Sequence, residues 1–418
     1  MTDGWPSQVR RVVFVAPRVP ETSGGATYVE NMSAALVARG IDVEHISLAP
    51  GTRPERFPTF VVNPRPGLHA GPVLRGGALA GTGWRVHRVA VAVARATAKT
   101  ADRRWLRLRL RRQLRRYGDD TLLVFTHVLA ARAVDESGWR VEPGSGPLRV
   151  GQHHSSFDSL DHETWLRAAI PEHFAGFDGF SGLTDDDAQR FAELLPGVPC
   201  RGIGNPFLPV EVPRSMPVAD SRTAVAVARL SGEKQHALMV RAFVAAVRSS
   251  PGLRGWRLAI HGEGGERPLI ESVVDDLDAQ ALVSLPGETG DPLGVLGGAG
   301  LALLTSSFEG FPMTVLEAAQ ARVPLVALDC SPGVRLLVGE NGWLVPPTGG
   351  VAGLVAALVE AMGDDRERQR RGERAHAHLD RWHPDAVLAQ WGEFAQLLLA
   401  RRGAGQVSEP VIGRSGPT

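Results

Sequence analysis

The sequence predicts an α/β protein made of two doubly wound parallel-sheet domains that face a cleft, and three observations predict it. A β-rich run at 12–16 passes through Ser23-Gly24-Gly25 into a helical pattern at 27–39 that Gly40 can cap, and an alternating strand follows at 41–48. The same order of strand, loop and helix restarts at 223–247. Between the two, residues 206–221 read PFLPVEVPRSMPVADS; proline donates no backbone hydrogen bond and pushes its predecessor out of the helical region, so this run is a linker. The predicted boundaries are 1–205 for the first domain, 206–220 for the linker and 221–383 for the second domain. A helix at 384–402 returns to the first domain, and a disordered tail occupies 403–418.

Composition agrees with this. At 418 residues and 43% hydrophobic, the chain can bury two ordinary cores, and 22% charged residues with nine tryptophans argue against disorder. A formal net charge of +1 points to no nucleic-acid partner. Two cysteines, Cys200 and Cys330, build neither a disulfide framework nor a metal site, which fits a reducing cytoplasm. The first residues contain no apolar signal core, and no run approaches the roughly 18 apolar residues of a membrane span. The expectation is a cytoplasmic protein, peripheral at most at the inner face of a membrane. Only two of the 46 basic residues are lysine, Lys99 and Lys234.

The elements follow in order. In a doubly wound unit the loops at the carboxyl ends of the strands bind ligands, and paired glycines such as Gly24 and Gly25 let backbone N–H groups approach an anion closely. Residues 50–83 read as irregular loop, with a role in acceptor binding. Residues 84–117 look helical, and the stretch 85–116 is strongly basic: it faces either an anionic lipid or polyanionic acceptor, or plain solvent. Strands at 122–125 and 148–152 run into His127 and into His153-His154. Without a cysteine or carboxylate at ligand spacing these are not a zinc site; at strand ends they suit a sugar hydroxyl or a phosphate. Asp185-Asp186-Asp187 has the Asp-x-Asp spacing with which some enzymes hold a divalent cation, but Thr184 before it is a good N-cap. Acids in a first turn complement the helix dipole, and the set is a capping box.

In the second half, strands are expected at 223–227, 256–260, 282–285, 301–304 and 325–328, and helices at 237–247, 351–362 and 384–399. The segments 332–334 and 340–346 read as turns. The stretch around which the chain is organised is 305–321, TSSFEGFPMTVLEAAQA. It places Glu309 in a loop and Glu317 about one turn inside a helix that Pro312 suits at its first turn. Free N–H groups after Gly310, through Phe311, Pro312, Met313 and Thr314, with the positive helix end, would hold a diphosphate. Glu309 then reaches past the phosphates, and Glu317, leaning toward the helix N-terminus, points at a ribose. Arg229 and Lys234, in the loop after 223–227, can clamp the diphosphate.

Taken together, EGFPMTVLE, ARLSGEK, SGGATYVENM, NGWLVP and QHHSSFD resemble the motifs of retaining, nucleotide-sugar-dependent glycosyltransferases of family four, over most of the chain except 50–118. The resemblance implies two Rossmann-like domains facing a cleft, the GT-B architecture. It implies that Arg229 and Lys234 hold the diphosphate, Glu317 the ribose hydroxyls and Glu309 the donor sugar, with His154 beside that sugar and Gly24 and Gly25 near the β-phosphate. Positions 228 and 235 are usually glycine in the family and are Ala228 and Gln235 here. LDCSPGVRLL and EGFPMT are similar to stretches of teichoic-acid, that is poly(glycerol-phosphate), α-glucosyltransferases, with Ser331 replacing that subgroup's tyrosine.

The implied chemistry is metal-independent transfer of a hexose, with retention, from a nucleotide-diphosphate sugar, UDP being the commonest base, to a hydroxyl of a cell-wall polyol phosphate, a glycolipid or a natural product. The donor is a co-substrate and no cofactor is expected. Two alternatives share the fold: a nucleotide-sugar 2-epimerase, and a catalytically silent partner that only binds the sugar nucleotide. Neither the acceptor nor the oligomeric state is written in these motifs.

Overall fold

The structure, a computed structural model, describes residues 4–20, 24–64, 103–142, 144–212 and 217–407. The first sheet has seven parallel strands in the order β3-β2-β1-β4-β5-β6-β7. These are β1 (Arg11–Arg18), β2 (Asp42–Ala49), β3 (Thr59–Val61), β4 (Thr121–Phe125), β5 (Leu148–Gln152), β6 (Gly179–Gly182) and β7 (Cys200–Gly202). The second sheet has six, in the order β10-β9-β8-β11-β12-β13: β8 (Thr223–Val227), β9 (Arg257–His261), β10 (Val283–Gly287), β11 (Leu301–Leu304), β12 (Leu325–Leu328) and β13 (Trp343–Val345). Every pairing is parallel. The architecture expected from the sequence is therefore present, with two doubly wound sheets.

The central strands are buried on both faces, which is why they read as apolar runs, whereas β2, β9 and β10 alternate. β4, β11 and β12 are buried along their whole length. In the first domain, Phe14, Val124 and Val150 join a core on one face, while Val13, Val15 and Phe125 join a second core on the other. In each sheet the strand order reverses beside the first strand, between β1 and β4 and again between β8 and β11. At such a switch point the loops leave in opposite directions and open a crevice at the carboxyl edge.

The structure corrects several local readings. Residues 332–334 do not form a turn: Pro332–Val338 is a helix, capped by Ser331, whose hydroxyl accepts from Val334 N–H at 3.2 Å. Trp343–Val345, also read as turn, is the edge strand β13 paired with β12. Thr59–Val61 adds a strand to the 50–83 segment; residues 65–83 of that segment lie outside the described residues. Of the basic stretch, 103–114 is helical and 85–102 lies outside the described residues. Thr184 caps its helix: its hydroxyl accepts from Asp187 N–H at 3.1 Å and donates to Asp187 Oδ2 at 2.7 Å, and fully buried Asp187 also accepts from Phe157 N–H at 2.7 Å.

The last helix, Pro384–Val407, lies on the first sheet and continues past Arg402, where the sequence pattern ends it; residues 408–418 lie outside the described residues. Val387, Leu388, Trp391, Phe394 and Leu398 share a core with Tyr28, Phe14 and Val150 of the first domain. Arg402 binds both carboxylate oxygens of Asp178, at 2.8 and 2.7 Å. Among the described residues no helix is long and apolar enough to cross a membrane. Trp391 is 2% exposed, so Trp391→Ala should lower unfolding stability by about 3–5 kcal/mol, measured by denaturant titration; a change under about 1 kcal/mol would contradict the anchoring role of this helix.

Candidate functional site

The switch point of the second sheet carries two loops. After β8 the chain makes a tight turn, Gly232–Lys234, and enters a helix, His236–Ser249. After β11 it crosses 305–312 and enters a second helix, Met313–Gln320. The loops are stitched together by Thr305 Oγ1, which donates to Lys234 O at 2.9 Å, and by Ser307 N–H, which donates to Glu233 O at 2.7 Å. Thr314 Oγ1 donates to Val227 O at 3.2 Å, tying the second helix to the end of β8.

This stitching brings Lys234 and Glu309 together. Lys234 Nζ stands 2.6 Å from Glu309 Oε1, and the two side chains are only 17% and 12% exposed. Ser306 Oγ donates to the same oxygen at 2.6 Å. Arg229 is not part of this pair: its guanidinium is 70% exposed and rests 3.3 Å from Glu233. Gln235 adopts the left-handed conformation, φ 51°. A residue with a Cβ there costs about 1 kcal/mol, which glycine would avoid.

Glu317 sits one turn into Met313–Gln320, half-buried, and its carboxylate has no hydrogen bond or ion pair among the described residues. Burial raises its pKa above the ordinary carboxylate range. Pro312 occupies the N-cap position, one residue before the first turn predicted for it, and no side chain caps this helix start. Met313 packs at the edge of a core, and Phe311 is buried edge-to-face against Trp382 at 4.9 Å.

Across the cleft, the first domain presents His154. Gly310 makes the contact: a Cβ there would lie 2.7 Å from Ser155 Cα and 2.8 Å from His154 O, so only glycine permits the approach. Nearby, Phe308 stacks on His162 at 5.0 Å. The His154 ring packs against Tyr28 at 4.5 Å, and Gly25 lies against it, where a Cβ would stand 3.8 Å away. Gly24 opens the helix Gly24–Val37 and has free space beside it. Both ring nitrogens of His154 are buried and have no hydrogen-bond partner. Burial, with a smaller contribution from His127, holds the ring neutral with a pKa of about 3.

The neighbouring histidines are engaged differently. His153 projects from the other side of the strand into the core, bonded to Ser159 Oγ at 3.0 Å and packed on Phe191. His127 caps the helix Val128–Ser137, its Nδ1 accepting from Leu129 N–H at 3.0 Å. Ser306, Thr305 and Tyr28 complete the site, and the sequence pattern does not single them out. The Ser-Ser pair before Phe308 is the available signal, since a hydroxyl three residues from a glutamate can reach its carboxylate.

The second domain matches the family model described as Glycosyl transferases group 1 over residues 221–364. An exopolysaccharide phosphotransferase of Streptomyces coelicolor is 29% identical over 300 residues, 70% of this chain and 30% of that protein. The poly(glycerol-phosphate) alpha-glucosyltransferase of Bacillus subtilis is 27% identical over 197 residues, 47% of this chain and 29% of that protein. The chain thus spans about 30% of the length of these relatives. Among solved structures, Anabaena HepE in complex with UDP superposes with a TM-score of 0.68 at 17% identity, covering 93% of this chain and 100% of that one. TarM of S. aureus superposes at 0.57 and 17%, covering 67% and 55%.

Gly310→Ala should hold the domains apart and raise the radius of gyration in small-angle scattering while leaving each domain folded; an unchanged radius would refute the contact. A second expectation concerns pH. His45, His153, His154 and His236 are all held neutral by burial, with pKa values near 4, 3, 3 and 4. The unfolded chain takes up these protons from about pH 6.5 downward while the folded one does not, so stability is full above that pH and falls toward pH 4. A melting temperature that stays flat from pH 7 to pH 5 would contradict this. Residues 221–364 match the Glycosyl transferases group 1 model, and the chain has the two-domain GT-B fold.

Proposed function

We propose that the chain is a glycosyltransferase that moves a hexose from a nucleotide-diphosphate sugar, most simply a UDP-sugar, to a hydroxyl acceptor, with retention and without a metal. The observation that carries the reading is the buried Lys234–Glu309 pair at the switch point, beside an uncapped helix start and an unpartnered Glu317. Lys234 and the helix N-terminus supply positive charge where a diphosphate leaving group gains negative charge, and Arg229 at the rim can swing in to join them. Glu317 receives the ribose hydroxyls. Glu309, held by Lys234 and Ser306, orients the donor sugar and offsets charge at its ring.

His154 faces the same space with a neutral ring, so it offers one donor and one acceptor to a sugar hydroxyl without adding charge. The positive charges of the site are its own side chains and helix end, which supports the metal-free reading. No carboxylate is assigned as nucleophile; retention follows from attack on the donor's leaving-group face, with the leaving phosphate taking the acceptor's proton. The acceptor is a glycan, a glycolipid or a polyol phosphate. The relative named for poly(glycerol-phosphate) supports a cell-wall acceptor. The helix at 103–114 exposes Arg103, Arg104, Arg107 and Arg112 beside Trp105 and Leu108, and this supports peripheral contact with an anionic surface.

The test combines binding and turnover. UDP should raise the melting temperature of the wild type in the presence of EDTA, and Glu309→Ala and Lys234→Ala should each lower sugar transfer by about 100-fold or more without loss of fold. Wild-type rates in either variant would sink the assignment. Interconversion of the sugar nucleotide with no glycoside formed would favour the epimerase, and UDP binding without any turnover would favour a silent partner.

A further inference from the structure

We propose that the groove between the helices Val128–Ser137 and Thr164–Phe174, with the indole of Trp165 as its platform and His127 at its head, is the acceptor subsite, and that it takes a neutral pyranose residue. The proposal rests on the transferase reading and assigns the acceptor's side of that same reaction. The groove encloses about 760 Å³; Val128, Leu129 and Trp165 line the end next to His127, and Arg149, Gly176 and Phe177 line the other end.

Position is the first argument. Val128–Ser137 begins directly after β4, and Thr164–Phe174 begins after the turn that follows β5, so both helices start at the carboxyl edge where His154 stands. β4 and β5 are neighbouring parallel strands, so His127 and His154, which follow them, lie at the same edge of the sheet. A line of side chains thus runs from Trp165 through His127 and His154 to Gly310 and the second domain.

Surface chemistry is the second. Trp165 is 47% exposed and Leu129 40%, two large apolar side chains left in water at the starts of their helices. The rings of Trp165 and His127 lie 6.4 Å apart at 40°. The electron-rich face of an indole attracts the polarised C–H bonds on one face of a pyranose. Because His127 Nδ1 accepts from Leu129 N–H, the neutral ring carries its proton on Nε2, and that N–H is a donor for a hydroxyl.

Charge decides the class of ligand. Every arginine lining the groove is already matched: Arg132 with Glu136 at 3.0 Å, Arg140 with Asp135 at 4.0 Å and Arg149 with Asp178 at 3.9 Å, while His173 Nδ1 lies 2.8 Å from Asp135. A phosphate polymer would find no free positive charge among these described residues and would meet the carboxylates of Asp135, Glu136 and Glu172. Hydroxyls find both donors and acceptors along the same wall.

Saturation-transfer NMR on the full chain with UDP present tests this, using methyl glycosides of glucose, galactose and N-acetylglucosamine, and sn-glycerol 3-phosphate. Ring protons of at least one glycoside should be saturated in the wild type, with the signal weakened about tenfold in Trp165→Ala and kept in Trp165→Phe. The UDP-induced rise in melting temperature should be the same in all three proteins. Equal glycoside signals in Trp165→Ala, no glycoside signal from a wild type that binds UDP, or a glycerol phosphate signal that depends on Trp165 would each overturn the subsite. If glycosides bind through Trp165 but UDP gives no stabilisation, the transferase reading fails and the groove stands as a carbohydrate site.

Discussion

The structure turns on the reversal of strand order between β8 and β11. Two neighbouring parallel strands send their following helices to opposite faces of the sheet, and the loops that leave them cannot close over the gap. Into that gap project Lys234 from one loop and Glu309 from the other, 75 residues apart in the chain and 2.6 Å apart in space. A mostly buried ion pair contributes modest net stability, but removing one partner strands the other's charge at a cost of about 3–5 kcal/mol. The hydroxyls of Thr305 and Thr314 and the amide of Ser307 hold the two loops in register around it, and the hydroxyl of Ser306 fixes Glu309 within its own loop.

Closure of the cleft depends on a second constraint, the absence of side chains where backbones meet. Gly310 faces Ser155 and His154 across the cleft, and Gly333 faces the carbonyl of Gly310, where a Cβ would come within 1.8 Å. Asn205, at the start of the linker, donates to Phe311 O at 3.3 Å, and Asn31 donates to Pro206 O at 3.0 Å. The start of the linker is thereby fastened both to the loop that carries the site and to the first domain. The return helix clamps the first domain, and the chain leads into it through Trp382, which packs on Phe311. Any displacement of the domains must therefore move the loop that holds Glu309.

Much of this is legible in the residues. The strands Leu148–Gln152, Thr223–Val227, Leu301–Leu304 and Leu325–Leu328 match their sequence readings residue for residue, because a strand buried on both faces must be largely apolar. Helices are harder where charge hides the buried stripe. Asp365–Ala377 has no counterpart in the sequence reading, since its buried positions are Arg368 and Gly372; Arg368 is satisfied by the carbonyls of Ala361, Met362 and Ala219 rather than by apolar neighbours. Pro332 and Gly333 read as a turn because their types favour one, whereas Ser331 as cap and Pro332 at the first position start a helix equally well.

The sequence by itself determined the two parallel sheets, because apolar runs and Gly or Pro punctuation are local properties of the chain. It also supplied the residue types: one of only two lysines, two glutamates at the spacing of a loop and a first helical turn, and histidines at strand ends. Only the tertiary structure decided which of them meet. It set Lys234 on Glu309 while leaving Arg229 at the rim. It packed His154 against Tyr28 and His153 against Phe191, since adjacent residues at a strand end point to opposite faces and no local signal says which face is which. It left Trp165 in water beside His127, a fact of packing between two helices that no pattern within either one contains.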